Sequence, residues 1–462
     1  MKFVVLYTDV VLWSVVLLLA LYVRHVLRTD ALRQKWRGVL RNRTATASAA
    51  VLAVFFLIAL ADSVHYRPRL EQTGGSVAYD TQTVSLMDTL IGQRIAGRER
   101  SYSAPFAFRE FDKTTKIIDG KPIRDYHRLN GVDPSTSDKD IGMKRLRQVE
   151  VGVVAGLGAV ILFWVVLSVI AAKASRCKAR AAFARLARRD NPWRPVITVA
   201  LIVVFLAAFL GIVWPHWHVL GTDTTGNDVL YVALKSVRTA MVIGILSILA
   251  TLPFAVVLGI CAGYFKGWVD DLVQYVYTTI SSIPSVLLIA ASVLMIQVFI
   301  DKNPGLYETG LERADLRLFL LALIIGVTGW AGLARLLRAE TMKVSAMDFV
   351  SAAKAFGVGH WRIMMRHVLP NVMHIVLIVA VLDFSGIVLY EAVLSYVGVG
   401  VDPVMESFGS MINAAAVEMS RSPMIWWNLL GSFLFMVTMV LAANLFASGV
   451  REAFDPRSDR QG

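Results

Sequence analysis

The strongest constraint on this chain is a repeated pattern of apolar blocks about 20 residues long, separated by polar segments. A block of that length forms a helix that can cross the hydrocarbon core of a bilayer. Hydrophobic residues make up 56% of the 462 residues and charged residues 18%, whereas a soluble domain carries about 25% charged residues. The sequence therefore predicts an all-α polytopic membrane protein.

Nine blocks have the length and composition of membrane spans. They cover residues 4–23, 47–64, 151–172, 196–214, 237–262, 275–299, 317–335, 372–391 and 426–448. The first block has no small-x-small cleavage site, and its basic residues follow the apolar run. A signal peptide has the opposite arrangement, so we expect a retained anchor.

Lysine and arginine are concentrated in the short segments between spans one and two, three and four, and seven and eight. Short loops rich in these residues stay on the cytoplasmic side of a membrane. The charge distribution therefore predicts an N-terminus outside, a C-terminus in the cytoplasm and an exported insert at about residues 66–148. Turn signals at Gly74-Gly75 and Asp119-Gly120-Lys121-Pro122 indicate a small subdomain, but its fold is not evident from the sequence.

The residue types argue against several other classes of protein. A net charge of +13 is compatible with nucleic-acid binding, but the basic residues flank apolar spans and no nucleic-acid-binding motif is present. Cys177 lies in a basic loop and Cys261 in an apolar span, so they form no disulfide framework. The eight histidines lack metal-site spacing, and no nucleophile–base set indicates a catalytic centre. We expect membrane lipid, and no nucleic acid, as a partner.

The segment 345–370, between spans seven and eight, has an unusual pattern. Ser345 and Asp348 have the spacing of a capping box, which predicts a helix start. An alanine-rich stretch follows, and Gly357 is placed to end that helix in a left-handed turn. A second short helix is predicted from about His360 until Pro370 stops it. These residues leave two interpretations open: a docking surface for another protein, or an ordinary interfacial amphipathic helix.

This segment resembles the EAA loop of ABC importer permeases, in which Glu-Ala-Ala is followed by a glycine and later by Leu-Pro. The matching residues are Ala352, Ala353, Gly357, Leu369 and Pro370. Ser351 stands at the position of the family's glutamate, which leaves any ionic contact through that position open.

Four further stretches resemble the C-type permease of dipeptide and oligopeptide importers. They are His218–Asp223 with Gly226 and Asp228–Leu230, Gly263–Asp270 with Ile283–Ser285, Glu391–Val401, and Trp426-Trp427 with Phe454–Arg457. The resemblance covers about residues 195–458. It implies a type I ABC importer permease core of six helices in this region, preceded by an extension, residues 1–194, with three helices and the insert.

The resemblance also implies a function. Such a permease forms half of a translocation pathway in the bacterial inner membrane, for peptides delivered by an extracytoplasmic binding protein. The implied partners are a second permease subunit, two ATPase subunits and the binding protein. The chain has no Gly-x-x-x-x-Gly-Lys-Ser/Thr phosphate loop, so ATP and Mg are expected on the ATPase subunits, with no cofactor and no enzyme activity here. The alternatives are a permease for nickel or another small solute, and a membrane sensor or scaffold.

The candidate functional residues fall into three groups. Residues 345–370 are expected to be the coupling loop that contacts an ATPase, through Ser351 and the five matching residues. The outer-face signature comprises Gly221, Thr222, Asp223, Gly226 and Asp228, and is either a structural turn or a contact with the binding protein. Asp383 and Glu391 are possible pathway residues. Asp383 is either a packing carboxylate hydrogen-bonded to Ser385 or a neighbour, or a lining residue that meets the ammonium group of a peptide, and for Glu391 a gating or structural role is favoured.

Overall fold

The computed structural model describes most of the chain, namely residues 2–70, 78–80, 83–91, 98–118, 121–130, 132, 136–175, 186, 188 and 191–454. Within these residues, nine helical segments are long and apolar enough to cross a membrane. The all-α polytopic prediction is confirmed. Gly74-Gly75, Asp119-Gly120, Cys177, most of the basic segment after span three and the residues beyond Phe454 lie outside the described residues.

Among the residues that the structure describes, long helices occur throughout, and short strands occur only before the third span. The helices are α1 (Tyr7–Arg28), α2 (Asp30–Arg41), α3 (Arg43–Ala61), α4 (Leu86–Ile91), α5 (Asp138–Ser175), α6 (Arg194–Val213), α7 (Val229–Phe265), α8 (Trp268–Ser281), α9 (Ser285–Lys302), α10 (Gly310–Gly329), α11 (Ala331–Ser345), α12 (Asp348–Ala355), α13 (His360–Ile363), α14 (Leu369–Tyr396), α15 (Phe408–Glu418) and α16 (Trp427–Phe454). A 3₁₀ turn covers Pro304–Leu306, and a π turn, Met364–Val368, joins α13 to α14.

The strands form three small sheets. They are β1 (Lys2–Val4), β2 (His65–Arg67), β3 (Arg69–Leu70), β4 (Ala78–Tyr79), β5 (Val84–Ser85), β6 (Arg109–Ile118) and β7 (Lys121–Arg128). Their orders are β1-β2-β5, β3-β4 and β6-β7. The last is an antiparallel hairpin with Thr114 opposite Asp125.

The internal contacts of the chain group it into two compact units. The first unit contains Met1–Phe3, Leu40–Val237 and Met411–Thr438, and the second contains Val4–Val39, Arg238–Ser410 and Met439–Gly462. This grouping does not follow the sequence division into residues 1–194 and 195–458, and that division stays a prediction.

In the first unit, the predicted insert is attached to the ends of two long helices. Ile141 of α5, Val213 of α6 and the following Trp217 form a small buried cluster, against which Phe106 and Phe108 pack. Because a single two-stranded hairpin is marginally stable in water, this cluster gives the β6–β7 segment an apolar support.

In the second unit, α7 and α11 pack closely through glycines. A Cβ at Gly259 would lie 2.8 Å from the carbonyl oxygen of Ala334, and one at Gly263 would lie 2.6 Å from that of Arg338. Gly259 and Gly263, which are four positions apart, therefore serve helix packing within this chain, because only glycine lets the backbones of the two helices come so close.

The sixth predicted span, 275–299, is shifted in the structure. Helix α8 ends at Ser281, and α9 begins at Ser285 with Pro284 as its N-cap residue. A proline disfavours helical backbone in the residue before it, so the apolar run is interrupted here. Pro284 thus lies between two helices, whereas Pro253 lies within α7.

Candidate functional site

The coupling loop contains the two short helices that the sequence predicts. Helices α12 and α13 are separated by Gly357, whose φ is +71°. The amide of Val358 donates to the carbonyl of Ala353 at 3.1 Å, and the amide of Gly357 to that of Lys354 at 3.0 Å. This pattern closes α12 in a left-handed turn, where glycine avoids the steric cost of a Cβ.

Two details of this prediction are wrong. Ser345 is the last residue of α11, and the N-cap of α12 is Met347, without a side-chain cap. Pro370 does not stop the second helix but lies in the first turn of α14, which continues from α13 through the π turn. Proline fits that position because the first amides of a helix need no intrahelical acceptor.

One face of the coupling loop is buried in the second unit and the other is exposed. Val350 and Ile363 are fully buried, and the half-buried Ala353 packs against the same core. Ser351, Ala352 and Gly357 are exposed. The loop also exposes three aromatic side chains that the sequence analysis did not single out, namely Phe356 (87% exposed), Trp361 (65%) and Phe349 (42%).

Polar contacts fasten the loop and the neighbouring helices. The hydroxyl of Tyr264 lies 2.9 Å from Nδ1 of His360, and the Lys354 ammonium lies 4.6 Å from the centre of the Tyr264 ring. Nη2 of Arg338 donates to Oδ2 of Asp270 at 2.6 Å, and this hydrogen bond holds the pKa of the Asp270 carboxyl below its usual range. The loop is therefore joined to α7, and α11 to α8.

The outer-face signature folds as a tight turn. Gly221 and Gly226 have positive φ, and Oδ1 of Asp223 accepts from the amides of Thr225 at 2.8 Å and Asn227 at 2.9 Å. Oδ1 of Asp228 accepts from the amide of Tyr231 at 3.1 Å, which caps α7. These bonds support the structural-turn interpretation.

The same turn is bonded to the predicted insert within the first unit. The hydroxyl of Thr222 donates to the carbonyl of Ser101 at 2.9 Å and accepts from the amide of Ser103 at 2.6 Å. The amide of Glu99 donates to the carbonyl of Gly226 at 3.1 Å, and Nε1 of Trp427 donates to that of Thr222 at 2.9 Å. The insert and the signature thus form one hydrogen-bonded structure.

A histidine is held between two carboxylates at this junction. Nδ1 of His218 lies 2.7 Å from Oδ2 of Asp228, and Nε2 lies 3.7 Å from Oε1 of Glu99. Burial alone lowers the pKa of His218, but the hydrogen bond to Asp228 and the negative charges of Asp228 and Glu99 raise it to about 9. The imidazolium therefore links the signature to the insert at neutral pH.

The two possible pathway residues lie in different surroundings. Asp383 is exposed on α14, and the Ser385 hydroxyl donates to the carbonyl of Leu382 and, at 2.7 Å, to Oδ1 of Asn444. Ser385 is thus not the partner of Asp383. Glu391 is fully buried and accepts from the Ser395 hydroxyl at 2.7 Å, which favours a structural role.

Comparison with known proteins decides the family. The sequence model of the binding-protein-dependent transport system inner membrane component matches residues 255–460. The chain is 31% identical over 249 residues to the oligopeptide transport system permease protein OppC of Mycobacterium tuberculosis (strain H37Rv), covering 54% of this chain and 78% of the relative. The chain belongs to this family of permeases.

Two further relatives agree. OppC of Haemophilus influenzae is 29% identical over 241 residues, covering 52% of this chain and 71% of the relative. The dipeptide transport system permease protein DppC of Lactococcus lactis subsp. cremoris is 28% identical over 241 residues, covering 52% and 64%. The protein is therefore a multi-pass membrane component of a transport system that has other subunits.

The permease also contains a buried ionic cluster that the sequence analysis missed. Nη2 of Arg238 lies 2.8 Å from Oδ1 of Asp9 and 3.5 Å from Oδ1 of Asp315. It donates to the Thr8 hydroxyl at 2.7 Å, while the Thr8 amide donates to Oδ2 of Asp315 at 3.1 Å. Charged residues inside or beside apolar spans were the available signal, but their pairing depends on the fold.

The permease should show a pH dependence at the insert. The pKa of His218 is raised from about 6.5 in the unfolded chain to about 9 in the fold. Protonated His218 therefore stabilises the fold by up to about 3 kcal/mol. This contribution is complete below pH 6.5, decreases above it and is lost as the pH passes 9. We expect the free energy of unfolding of wild type, relative to His218→Gln, to fall over this interval. A difference that is constant from pH 6 to pH 10 would contradict the assignment.

Proposed function

We propose that this permease forms half of the translocation pathway of an ATP-driven importer for peptides. The relatives named as oligopeptide and dipeptide transport permeases support a peptide as the solute. A second permease subunit would complete the pathway. Two ATPase subunits would bind ATP and Mg, since the chain has no phosphate loop. An extracytoplasmic binding protein would deliver the peptide.

The proposed orientation follows from the basic segments. Their position places the coupling loop and the C-terminus in the cytoplasm, and the N-terminus, the insert and the signature turn outside. In this orientation the coupling loop reaches an ATPase and the insert lies on the side of the binding protein. The membrane is the inner membrane of a bacterium.

The observation that carries the proposal is the geometry of the coupling loop. Its exposed side offers Ala352, the Gly357 turn, Phe356 and Trp361, while Val350 and Ile363 fix its other side in the helix core. Small residues allow close approach of another backbone, and exposed aromatic residues are typical anchors of protein interfaces. A movement imposed on this surface by an ATPase would be transmitted to α7 and α11, as rocking of packed helices requires.

Substitution of Gly357 tests this function. A β-branched residue at its positive φ costs about 1–2 kcal/mol and would reshape the contact surface. We expect Gly357→Val to reduce peptide uptake in proteoliposomes about tenfold or more, with weaker copurification of the ATPase subunits. Membrane insertion should be normal because no apolar span is changed.

Gly398→Val is the matched control. Gly398 has a φ of +85°, close to the +71° of Gly357, and neither glycine has an atom within 4 Å of an added Cβ, but Gly398 lies outside the coupling loop. Uptake and ATPase retention should stay near the wild-type values in this variant. Normal uptake and normal ATPase retention in Gly357→Val would overturn the assignment of the coupling loop.

A further inference from the structure

Asp383 places a carboxylate at the centre of a membrane-spanning helix. It lies midway along α14, between Leu369 and Tyr396. At a rise of about 1.5 Å per residue, each end of the helix is roughly 20 Å away. The carboxylate therefore lies well inside the predicted span 372–391, away from both ends of the helix.

The side of α14 that carries Asp383 is uncovered in the single chain. Leu382, Gly386, Leu389 and Val393 are also exposed and recur at helical spacing around it. In the part of the chain that the structure describes, no hydrogen bond or ion pair reaches the Asp383 carboxylate. A partner of this group therefore comes from beyond the described residues.

Lipid is a poor neighbour for this group. A charged carboxylate at the bilayer centre costs about 2.5–3.5 kcal/mol on insertion scales, and such residues face a water-filled path or another protein. The exposed side of α14 therefore belongs to the interior of the assembled importer rather than to its lipid boundary.

The surface beside Asp383 has room for a small group. Gly386 lies one helical turn away, and an added Cβ there would meet no atom within 4 Å. An ammonium group is compact and has three donors, and it forms charge-assisted hydrogen bonds with a carboxylate. The negative charge and the adjacent opening are complementary to such a group.

We propose that Asp383 lines the translocation pathway and binds the protonated amino terminus of the transported peptide. This inference rests on the proposed function and extends it to the group by which the solute is recognised. Peptides of different sequence share a terminal ammonium, so one carboxylate serves all of them without reading side chains.

The test uses the complete importer in proteoliposomes and two solutes, a dipeptide with neutral side chains and its N-acetylated form. For wild type we expect the free-amino dipeptide to be taken up with a half-saturating concentration about tenfold lower. Asp383→Asn should remove this difference by raising the value for the free-amino dipeptide alone. Asp301→Asn, which changes an exposed carboxylate at the end of α9, is the charge-matched control and should keep the discrimination.

The possible outcomes separate the two proposals. Equal discrimination in wild type and Asp383→Asn would overturn the amino-terminus site while leaving the peptide importer intact. Loss of the second permease subunit on purification of Asp383→Asn would instead identify an ion pair between subunits and also overturn the site. No uptake of either dipeptide by wild type, with ATPase subunits bound, would overturn the peptide proposal and the site with it.

Discussion

Replacing Arg238 with alanine is expected to lower the free energy of unfolding of the permease by about 3–5 kcal/mol. The guanidinium is buried with the carboxylates of Asp9 and Asp315, and its removal takes away the cation that both of them contact. A buried charge that loses its partner keeps its desolvation penalty, which makes this loss larger than the net contribution of the ion pair. Denaturant titration of the purified protein in detergent measures this change in the free energy of unfolding.

Arg313→Ala is the matched control for this experiment. Arg313 is a residue of α10, like Asp315. Its Nη2 lies 3.6 Å from Oδ2 of Asp402, but its side chain is 40% exposed. Asp402 is buried, but it keeps Arg317 at 3.5 Å when Arg313 is removed, so the loss of this partly exposed arginine should cost only about 0–1 kcal/mol. If the two variants lost the same stability, the Arg238 cluster would not be a buried, desolvated network.

The second large effect is expected at Gly226. A Cβ there would lie 1.9 Å from the carbonyl oxygen of Glu99 and 2.4 Å from its carbonyl carbon, and φ is +79°. Since both atoms belong to the backbone, no side-chain rotation can relieve the contact. Gly226→Ala should therefore separate the signature turn from the insert, at a cost of about 4 kcal/mol or more, the upper end of single substitutions.

Limited proteolysis of the insert and denaturant unfolding measure this separation. Gly398→Ala provides the comparison, because Gly398 has a φ of +85° but no atom within 4 Å of an added Cβ. The free energy of unfolding of that variant should fall only by the cost of a Cβ at positive φ, about 1–2 kcal/mol. The proposed role of the Glu99 contact would be wrong if Gly226→Ala resisted protease as well as Gly398→Ala does.

The membrane spans were predictable because a bilayer imposes a length and a composition on each of them. All nine occur, but their ends differ where polar residues extend a helix beyond the apolar core. Helix α5 begins at Asp138, well before the predicted residue 151. Hydropathy alone does not detect such a polar extension of a helix, and it does not detect the interruption of the helix at Pro284.

The short helices of the coupling loop were predictable from local signals, and their ends were less so. Gly357 adopts the left-handed conformation that its place after an alanine-rich stretch predicted. Ser345 and Pro370 were misjudged because each fits two positions in a helix, and the tertiary contacts select between them. The roles of the coupling residues and of Asp383 stay predictions.

The contacts of the signature turn could not be predicted. Its glycines indicated a turn. The backbone of Glu99, which bonds to Gly226, and the amide of Ser103, which donates to the Thr222 hydroxyl, come from a segment that is remote in sequence. The same holds for Asp9 and Arg238, which are brought together by packing of helices that no periodicity in the sequence relates. The sequence shows which positions carry polar or charged side chains, but only the fold shows which residues these side chains contact.

The bond between Glu99 and Gly226 also sets an order on biosynthesis. Glu99 leaves the ribosome before α5 and α6, whereas Gly226 follows both helices. The β6–β7 hairpin can form at once because its strands are adjacent, but the segment around Glu99 must wait until both helices have been translated. Trp427, which donates to the carbonyl of Thr222, is made later still. The hydrogen-bonded structure of the insert and the signature turn therefore stays incomplete through most of synthesis, and it is completed only after Trp427 of α16 has been made.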